Sequence, residues 1–320
     1  MNLQNFLVIG GSGFIGSAIA RKLAAQGRKV VVPTRRRDRA KHLILLPTVD
    51  VIEADIHDSR VLDRMVAGAD AVINLVGVLH SDTARPFGMR FKKAHVDLPR
   101  KIAAACAVAG VPRLLHMSAL GAAADGPSMY LRSKAAGEAA VRETAGKVAT
   151  TVFRPSVVFG RDDKFINLFA RMQGLAPIFP VGHAGARLQP VHVEDLAQAM
   201  VNAADNPVTF GRAYDLGGPH VYTLKQIIQY AGKVSGHPRP VIGLPDALAY
   251  LQAWLMEFAP FELLSRDNLD SLKVDSVTSS VPFAPELGVI PVSMEAVVPG
   301  YLAGHSPRER YMQLRDRAGR

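Results

Sequence analysis

Short apolar runs alternate with helical patterns through the first half of the chain, and their spacing predicts the architecture. Phe6, Leu7, Val8 and Ile9 form the first run; residues 29–33, 49–53, 71–76, 113–117 and 149–153 repeat it, so six strands are expected. Apolar positions at helical spacing fill most of the intervals. Ala18, Ile19 and Leu23 follow the first strand, and 61–67, 98–109 and 130–144 carry the same period, the last two closed by Gly110 and Gly146. Alternation of this kind implies a parallel sheet covered on both faces, with ligands at the carboxyl ends of the strands. The expected fold class is therefore α/β, a Rossmann-type doubly wound parallel sheet. After about residue 159 the pattern loosens around Pro177, Pro180, Pro190, Pro207, Pro219, Pro238, Pro240 and Pro245. We expect a core over 1–160 with sheet elements continuing to about 218, a small lobe over 161–190 and 219–305, and a basic tail over 306–320.

Composition narrows the setting. With 48% apolar residues, a chain of 320 residues buries a large core without disorder. The single cysteine, Cys106, lies in an apolar helical run, so it forms no intrachain disulfide and reads as a small buried side chain in a reducing compartment. The first strand begins at once, without a basic, apolar, then small-residue leader, which predicts a cytoplasmic protein. The longest apolar segment, 241–260, is broken by Pro245, Asp246, Gln252 and Glu257 and is too polar to span a membrane. Within it Leu248, Leu251, Ala253, Trp254, Leu255, Met256 and Phe258 have helical character. Lobe core is the first expectation for them; the alternatives are a cover for a hydrophobic substrate or a face against a membrane.

The net charge of +10 is concentrated in Arg35-Arg36-Arg37-Asp38-Arg39-Ala40-Lys41 and in the tail over 308–320, where Glu309 and Asp316 dilute it. Neither cluster is interleaved with stacking aromatics, so no nucleic-acid partner is expected. Acidic lipid, met peripherally at the inner membrane, or an acidic protein surface suits the pattern better.

Chemistry enters at the turn after the first strand, Gly10-Gly11-Ser12-Gly13-Phe14-Ile15-Gly16. Gly10 allows the sharp turn, Gly13 the close approach of a pyrophosphate, and Gly16 the packing of helix on strand; the helix N-terminus offers N–H groups to the phosphates. A glycine trio alone is weak, but the strand before it and the helix after it are the context a dinucleotide site requires. The second strand ends Val32-Pro33-Thr34-Arg35-Arg36, with no carboxylate for ribose hydroxyls and two guanidiniums suited to a 2′-phosphate. NADP(H) is therefore expected in preference to NAD(H), although the same arginines would also make a solvated helix start. Asp55-Ile56 after the third strand reads equally as an adenine contact or as the start of the next helix, which Asp55 or Asp58 could cap.

Tyr130 and Lys134 stand one helical turn apart, twelve residues beyond Ser118 at the end of the fifth strand. A ketone accepting hydride develops negative charge on oxygen. Tyr130 could donate a proton to it if Lys134 lowered the phenol pKa, while Ser118 holds the same oxygen. A Tyr and a Lys at this spacing on an exposed helix is the plain alternative. Ser118 lacks the Gly-x-Ser-x-Gly turn of hydrolases. His192, Glu194 and Asp195 lack a further histidine or cysteine at ligand spacing, so no metal is expected; one of the carboxylates more simply starts the next helix.

The ordered set Gly10 to Gly16, Asp55-Ile56, Asn74-Leu75-Val76-Gly77, Ser118, Tyr130 with Lys134, Arg154-Pro155-Ser156 and Pro190-Val191-His192-Val193-Glu194-Asp195 resembles the extended short-chain dehydrogenases/reductases, the epimerase/dehydratase-like branch. Tyr130-Leu131-Arg132-Ser133-Lys134-Ala135-Ala136-Gly137-Glu138, Phe159-Gly160-Arg161-Asp162-Asp163 and Ala259-Pro260-Phe261-Glu262 look most like the nucleotide-binding accessory subunit of respiratory complex I and its bacterial relatives. The resemblance implies cofactor contacts from Leu75, Val76, Gly77 and Pro155 as well, and a Lys134 that also meets the nicotinamide ribose. It implies NADP(H) binding, links to respiratory or quinone-synthesis assemblies, and an open question of turnover. Many active members carry an asparagine where His95 stands here; His95 is either a substitute proton relay or a packed residue. Three functions follow as expectations: a reductase of an apolar carbonyl or quinone-related compound, a non-catalytic NADPH-binding accessory protein, and a nucleotide-sugar epimerase or dehydratase.

Overall fold

The computed structural model describes residues 3–258, 264–279 and 281–303, with 311, 314, 315 and 318 in the tail. The chain divides into two compact units. The first holds the residues up to Pro155, Val193–Leu216 and Thr278–Ile290; the second holds Ser156–His192, Gly217–Val277 and the described residues from Pro291 onward.

The first unit is built on a sheet of seven strands, β1 (Asn5–Ile9), β2 (Lys29–Thr34), β3 (Val49–Glu53), β4 (Ala71–Asn74), β5 (Arg113–Met117), β6 (Ala149–Pro155) and β7 (Ala213–Leu216). Every pairing is parallel, in the order β7-β6-β5-β4-β1-β2-β3. This is the doubly wound sheet the strand-helix alternation predicts. The order reverses between β1 and β4, and at such a switch point the connections leave in opposite directions and open a crevice beyond the strand ends. Helices α1 (Phe14–Ala25), α2 (Ser59–Val66), α3 (Leu98–Ala109), α4 (Met129–Arg142) and α5 (Val193–Asp205) cover the sheet. On one side Leu62 and Val66 of α2, Leu98, Ile102 and Cys106 of α3 and Val141 of α4 close over Leu7, Ile9, Val72 and Leu114. Cys106 is fully buried there and burial pushes its thiol up to about 12, which leaves it inert.

Helix α5 is joined to α1 by Glu194, which pairs with Arg21 at 2.7 Å and Lys22 at 3.2 Å. Its far end is held by Arg113, a fully buried guanidinium bonded to Ala203 O at 2.9 Å, Ala204 O at 3.1 Å, Ala149 O at 2.8 Å, Thr151 Oγ1 at 2.7 Å and Thr209 Oγ1 at 3.0 Å. The cation so placed also meets the negative end of the α5 dipole.

Local chemistry shifts several predicted boundaries. β4 ends at Asn74 rather than residue 76, because the Asn74 Oδ1 accepts the Val76 N–H at 3.2 Å and turns the chain out of the ladder. Asp58, not Asp55, caps α2, accepting the Arg60 N–H at 2.8 Å; Asp55 instead accepts the His57 N–H at 3.0 Å in a turn. Glu194 and Asp195 fall in the first turn of α5.

In the second unit the helices Ile166–Leu175 and Leu224–Val234 pack with the parallel strands Phe179–Gly182 and Val241–Leu244, burying Phe159, Ile166, Phe179, Ile227, Ile228 and Val298. His192 packs its ring against Phe159 at 5.3 Å. The apolar segment beyond Pro245 does not form core as expected. It is the helix Asp246–Glu257, and only Ala249 and Ala253 are buried, in a small cluster with Leu269. Leu248, Leu251, Trp254, Leu255 and Phe258 stay exposed, with the Trp254 and Phe258 rings edge to face at 5.3 Å. The motif Ala259 to Glu262 lies outside the described residues, as does most of the basic tail. No helix among the described residues is long and apolar enough to cross a membrane.

Candidate nucleotide and catalytic site

The glycine turn closes through the Gly11 N–H on Val8 O at 3.1 Å and the Gly13 N–H on Gly10 O at 3.0 Å. Gly10 has φ +86°, a left-handed conformation that favours glycine, and a Cβ there would meet the Leu75 backbone at 3.2 Å. A Cβ on Gly16 would strike Gly10 O and lie 2.5 Å from Gly11 Cα, so α1 reaches the turn only because Gly16 is bare. Among the described residues no side chain caps the N-terminus of α1, which starts at Phe14 and Ile15 after Ser12 and Gly13. Its first N–H groups therefore remain for a ligand.

At the end of β2, Arg35 and Arg36 are both exposed. Arg36 pairs with Asp38 at 3.0 Å, an exposed contact that a phosphate could replace at small cost. Ile56, beside Asp55, packs on the core under the sheet edge. His57 follows them and lines a cleft of about 490 Å3 with Lys93, Asp97, Leu98, Arg100 and Lys101. Burial lowers the His57 pKa, and Lys93, Lys101 and Arg35 add to this against Asp55; the surroundings are cationic, as an anionic ligand requires.

Two of the predicted catalytic residues, Lys134 and Ser118, lie at the end of β5, and Tyr130 sets its ring 5.5 Å from that of His95. Lys134 is 4% exposed and donates from Nζ to Met117 O at 3.0 Å, the carbonyl just before Ser118. A Cβ on Gly77 would lie 3.5 Å from the same Nζ, so the loop after β4 runs past the ammonium. Ser118 is tied to β6 through its N–H on Phe153 O at 2.7 Å, and Pro155 O accepts the Leu120 N–H at 3.0 Å. The Ser118 Oγ is buried with no partner among the described residues. A hydroxyl left so in a protein interior normally marks a missing ligand or water. Among the described residues Lys134 Nζ, with three N–H donors, has Met117 O as its acceptor. The bare glycine turn, the orphaned hydroxyl and the under-used ammonium fit a dinucleotide with a substrate oxygen beside it.

Electrostatics correct one expectation. Lys134 does not bring the Tyr130 phenol toward neutrality: burial pushes Tyr130 up to about 12 and pulls Lys134 down to about 8. Desolvation of the half-buried phenol and of the buried ammonium is the cause of both shifts. Tyr130 is thereby held as an acid, the form a proton donor needs. His95, 2% exposed, is neutral, taken down to about 2 by burial, Lys134 and His116. Both of its nitrogens are engaged, Nε2 with the Val78 N–H at 2.9 Å and Nδ1 with Ser133 Oγ at 2.8 Å, which leaves no nitrogen for the proton relay.

Sequence reasoning missed His116, Asn74 and Ser133 as working parts. Asn74 Nδ2 meets His116 Nδ1 at 3.1 Å across the β4 and β5 ladder, and Ser133 Oγ donates to Tyr130 O at 2.7 Å. The fixed spacing of Ser133 before Lys134 was a visible signal; the Asn74 and His116 pairing depends on strand register. Among the described residues no three His, Cys, Asp or Glu side chains group as metal ligands.

Comparison with known proteins fits this arrangement. Residues 6–217 match the NAD dependent epimerase/dehydratase family. The chain belongs to that family. Within it, the chain is 32% identical to the mitochondrial NADH dehydrogenase (ubiquinone) 1 alpha subcomplex subunit 9 of Mus musculus, over 90% of this chain and 77% of that one. It is 31% identical to the ceramide reductase of Caulobacter vibrioides, over 77% of each chain. The crystal structure of DesIV, a dTDP-glucose 4,6-dehydratase from Streptomyces venezuelae with NAD bound, superposes with a TM-score of 0.70 at 20% identity, covering 93% of this chain and 96% of that one, and shares the fold.

Proposed function

We propose that this epimerase/dehydratase-family protein binds NADP(H) and reduces the carbonyl of an apolar or quinone-related compound. The observation that carries the reading is the buried Lys134 ammonium, set between the Gly77 loop and the Met117-Ser118 strand end, with the Ser118 hydroxyl of that strand end buried and without a partner among the described residues. Reduced nicotinamide, when bound, supplies the hydride. The turn Gly10 to Gly16 holds the pyrophosphate, Arg35 and Arg36 the 2′-phosphate, Asp55 and Ile56 the adenine edge, and Leu75, Val76, Gly77 and Pro155 border the ring-bearing end. Ser118 donates to the carbonyl oxygen, Tyr130 gives it a proton, and Lys134 binds the ribose and stabilises the tyrosinate left behind. A relative that acts as a ceramide reductase supports an apolar substrate.

The test is Tyr130→Phe, assayed with short-chain quinones and hydrophobic ketones. We expect turnover to fall at least about a hundredfold with NADPH affinity within a factor of about three; unchanged turnover would remove Tyr130 from the chemistry.

A second reading is favoured by the exposed stripe Leu248, Leu251, Trp254, Leu255 and Phe258. A non-catalytic NADPH-binding accessory protein would present such a face to a respiratory or quinone-synthesis assembly or to a membrane surface. Its relatives among mitochondrial NADH dehydrogenase subunits support that alternative. Tight NADPH that no acceptor oxidises would select it.

A further inference from the structure

Two buried histidines bond to the end of β4 and to the loop that follows it, and neither has a part in the chemistry above. His95 lies on the π-helical segment Lys92–Asp97, and His116 on β5; both are 2% exposed. Each bond polarity follows from its partners. The Val78 N–H can only donate, so His95 Nε2 accepts; Ser133 Oγ spends its proton on Tyr130 O, so His95 Nδ1 carries the hydrogen and donates to it. Similarly, Asn74 Oδ1 accepts the Val76 N–H, which turns Nδ2 toward His116; Nδ1 of His116 is then the acceptor and Nε2 carries its proton. The two rings are thus opposite tautomers serving two amides of the same loop, Val78 directly and Val76 through Asn74.

Between those amides lies Gly77, where a Cβ would sit 3.5 Å from Lys134 Nζ and 3.7 Å from His95 Nε2. Helix α4 is held close on the same side: a Cβ on Gly137 would strike His95 O. Phe91 stacks on the His95 ring at 5.2 Å, and the Tyr130 and His95 rings stand nearly perpendicular at 5.5 Å. Loop, imidazole and the helix bearing Tyr130 and Lys134 are therefore one bonded unit.

We propose that His95 and His116 are positioning residues that hold the loop from Leu75 to Val78 against Lys134 and so set the nicotinamide end of the site. The inference rests on the nucleotide-binding reading for the function of the loop, but not for its anchoring. Burial and the Lys134 charge keep both rings neutral, His95 at about 2 and His116 at about 3, so the acceptor nitrogens stay available wherever the fold persists.

The test uses the full chain. Imidazole 15N shifts should show His95 protonated at Nδ1 and His116 at Nε2, with neither titrating between pH 6 and 8, values about the unperturbed histidine range. His95→Phe keeps the aromatic packing and removes the acceptor. Exchange of the Val78 amide should accelerate at least about tenfold beyond any change in global stability, and NADPH should bind about tenfold more weakly. His95→Gln, whose amide oxygen can accept, should recover part of both. If His95→Phe fails to fold, Ser133→Ala, which leaves the ring but removes its orienting partner, should shift Val78 exchange in the same direction. A His95 protonated at Nε2, or titrating near neutrality, would overturn the proposal, as would Val78 exchange that follows global stability alone. Failure of the unmodified protein to bind NADP(H) would sink the nucleotide reading instead, and Val78 exchange would still decide the anchoring.

Discussion

Lys134 gives the most direct test of the site, because its burial has a calculable effect on stability. Its ammonium has an ordinary value of 10.5 and is drawn to about 8 by desolvation in the folded protein. Each unit is worth about 1.4 kcal/mol, so the folded state carries a cost of about 3 kcal/mol for keeping this lysine charged. The unfolded chain binds the extra proton between pH 8 and 10.5, so the cost is fully present below about pH 8 and is relieved as pH rises through that window. Lys134→Met keeps the length of the side chain and removes the charge. It also leaves Met117 O without its bond, at roughly 1–2 kcal/mol. We expect the ligand-free variant to be more stable than the natural protein by roughly 1–2 kcal/mol at pH 7, with NADPH affinity at least about tenfold weaker. Urea denaturation at several pH values between 7 and 10 is the assay. Between pH 7 and 10 the stability gap should change in favour of the natural protein by about 2.5 kcal/mol; Tyr130 titration is common to both chains and cancels. Parallel stability curves would refute the buried, charged Lys134 and with it the electrostatic account of the site.

Other outcomes follow from the same structure. In the free protein kcat/KM should fall above about pH 8 as Lys134 loses its proton, while Tyr130, held up to about 12, contributes no limb at neutral pH; a flat profile to pH 9.5, about one and a half units past that value, would contradict this. Arg35→Ala with Arg36→Ala should weaken NADPH binding roughly ten- to hundredfold and NADH much less; equal losses in calorimetric titration would remove the 2′-phosphate contact. Arg113→Ala should destabilise by roughly 3–5 kcal/mol in urea, since it leaves a cavity and takes away the bonds to Ala149 O, Ala203 O and Ala204 O, of which Ala203 O keeps the Thr209 hydroxyl. A loss below about 1 kcal/mol would show that those groups find other partners.

The strand-helix order, the doubly wound sheet and the glycine turn were legible in the chain because each depends on local properties: hydrophobic period, turn residues, and the conformational freedom of Gly10. The placement of Tyr130 and Lys134 one turn apart on a helix, and of Ser118 at a strand end, was legible through spacing, since a helical turn and a strand end have fixed geometry. Tertiary structure alone decided what those residues are electrically. The phenol expected to be acidified is held up to about 12, because desolvation depends on everything packed around it. It also decided that His95 is bonded at both nitrogens and that Asn74 meets His116, partners 38 and 42 residues apart that only strand register and helix packing bring together. The stripe from Leu248 to Phe258 shows the same limit from the other direction. A helical apolar pattern specifies a face, but whether that face is covered depends on what the rest of the chain places over it, and here only Ala249 and Ala253 find a neighbour to bury them.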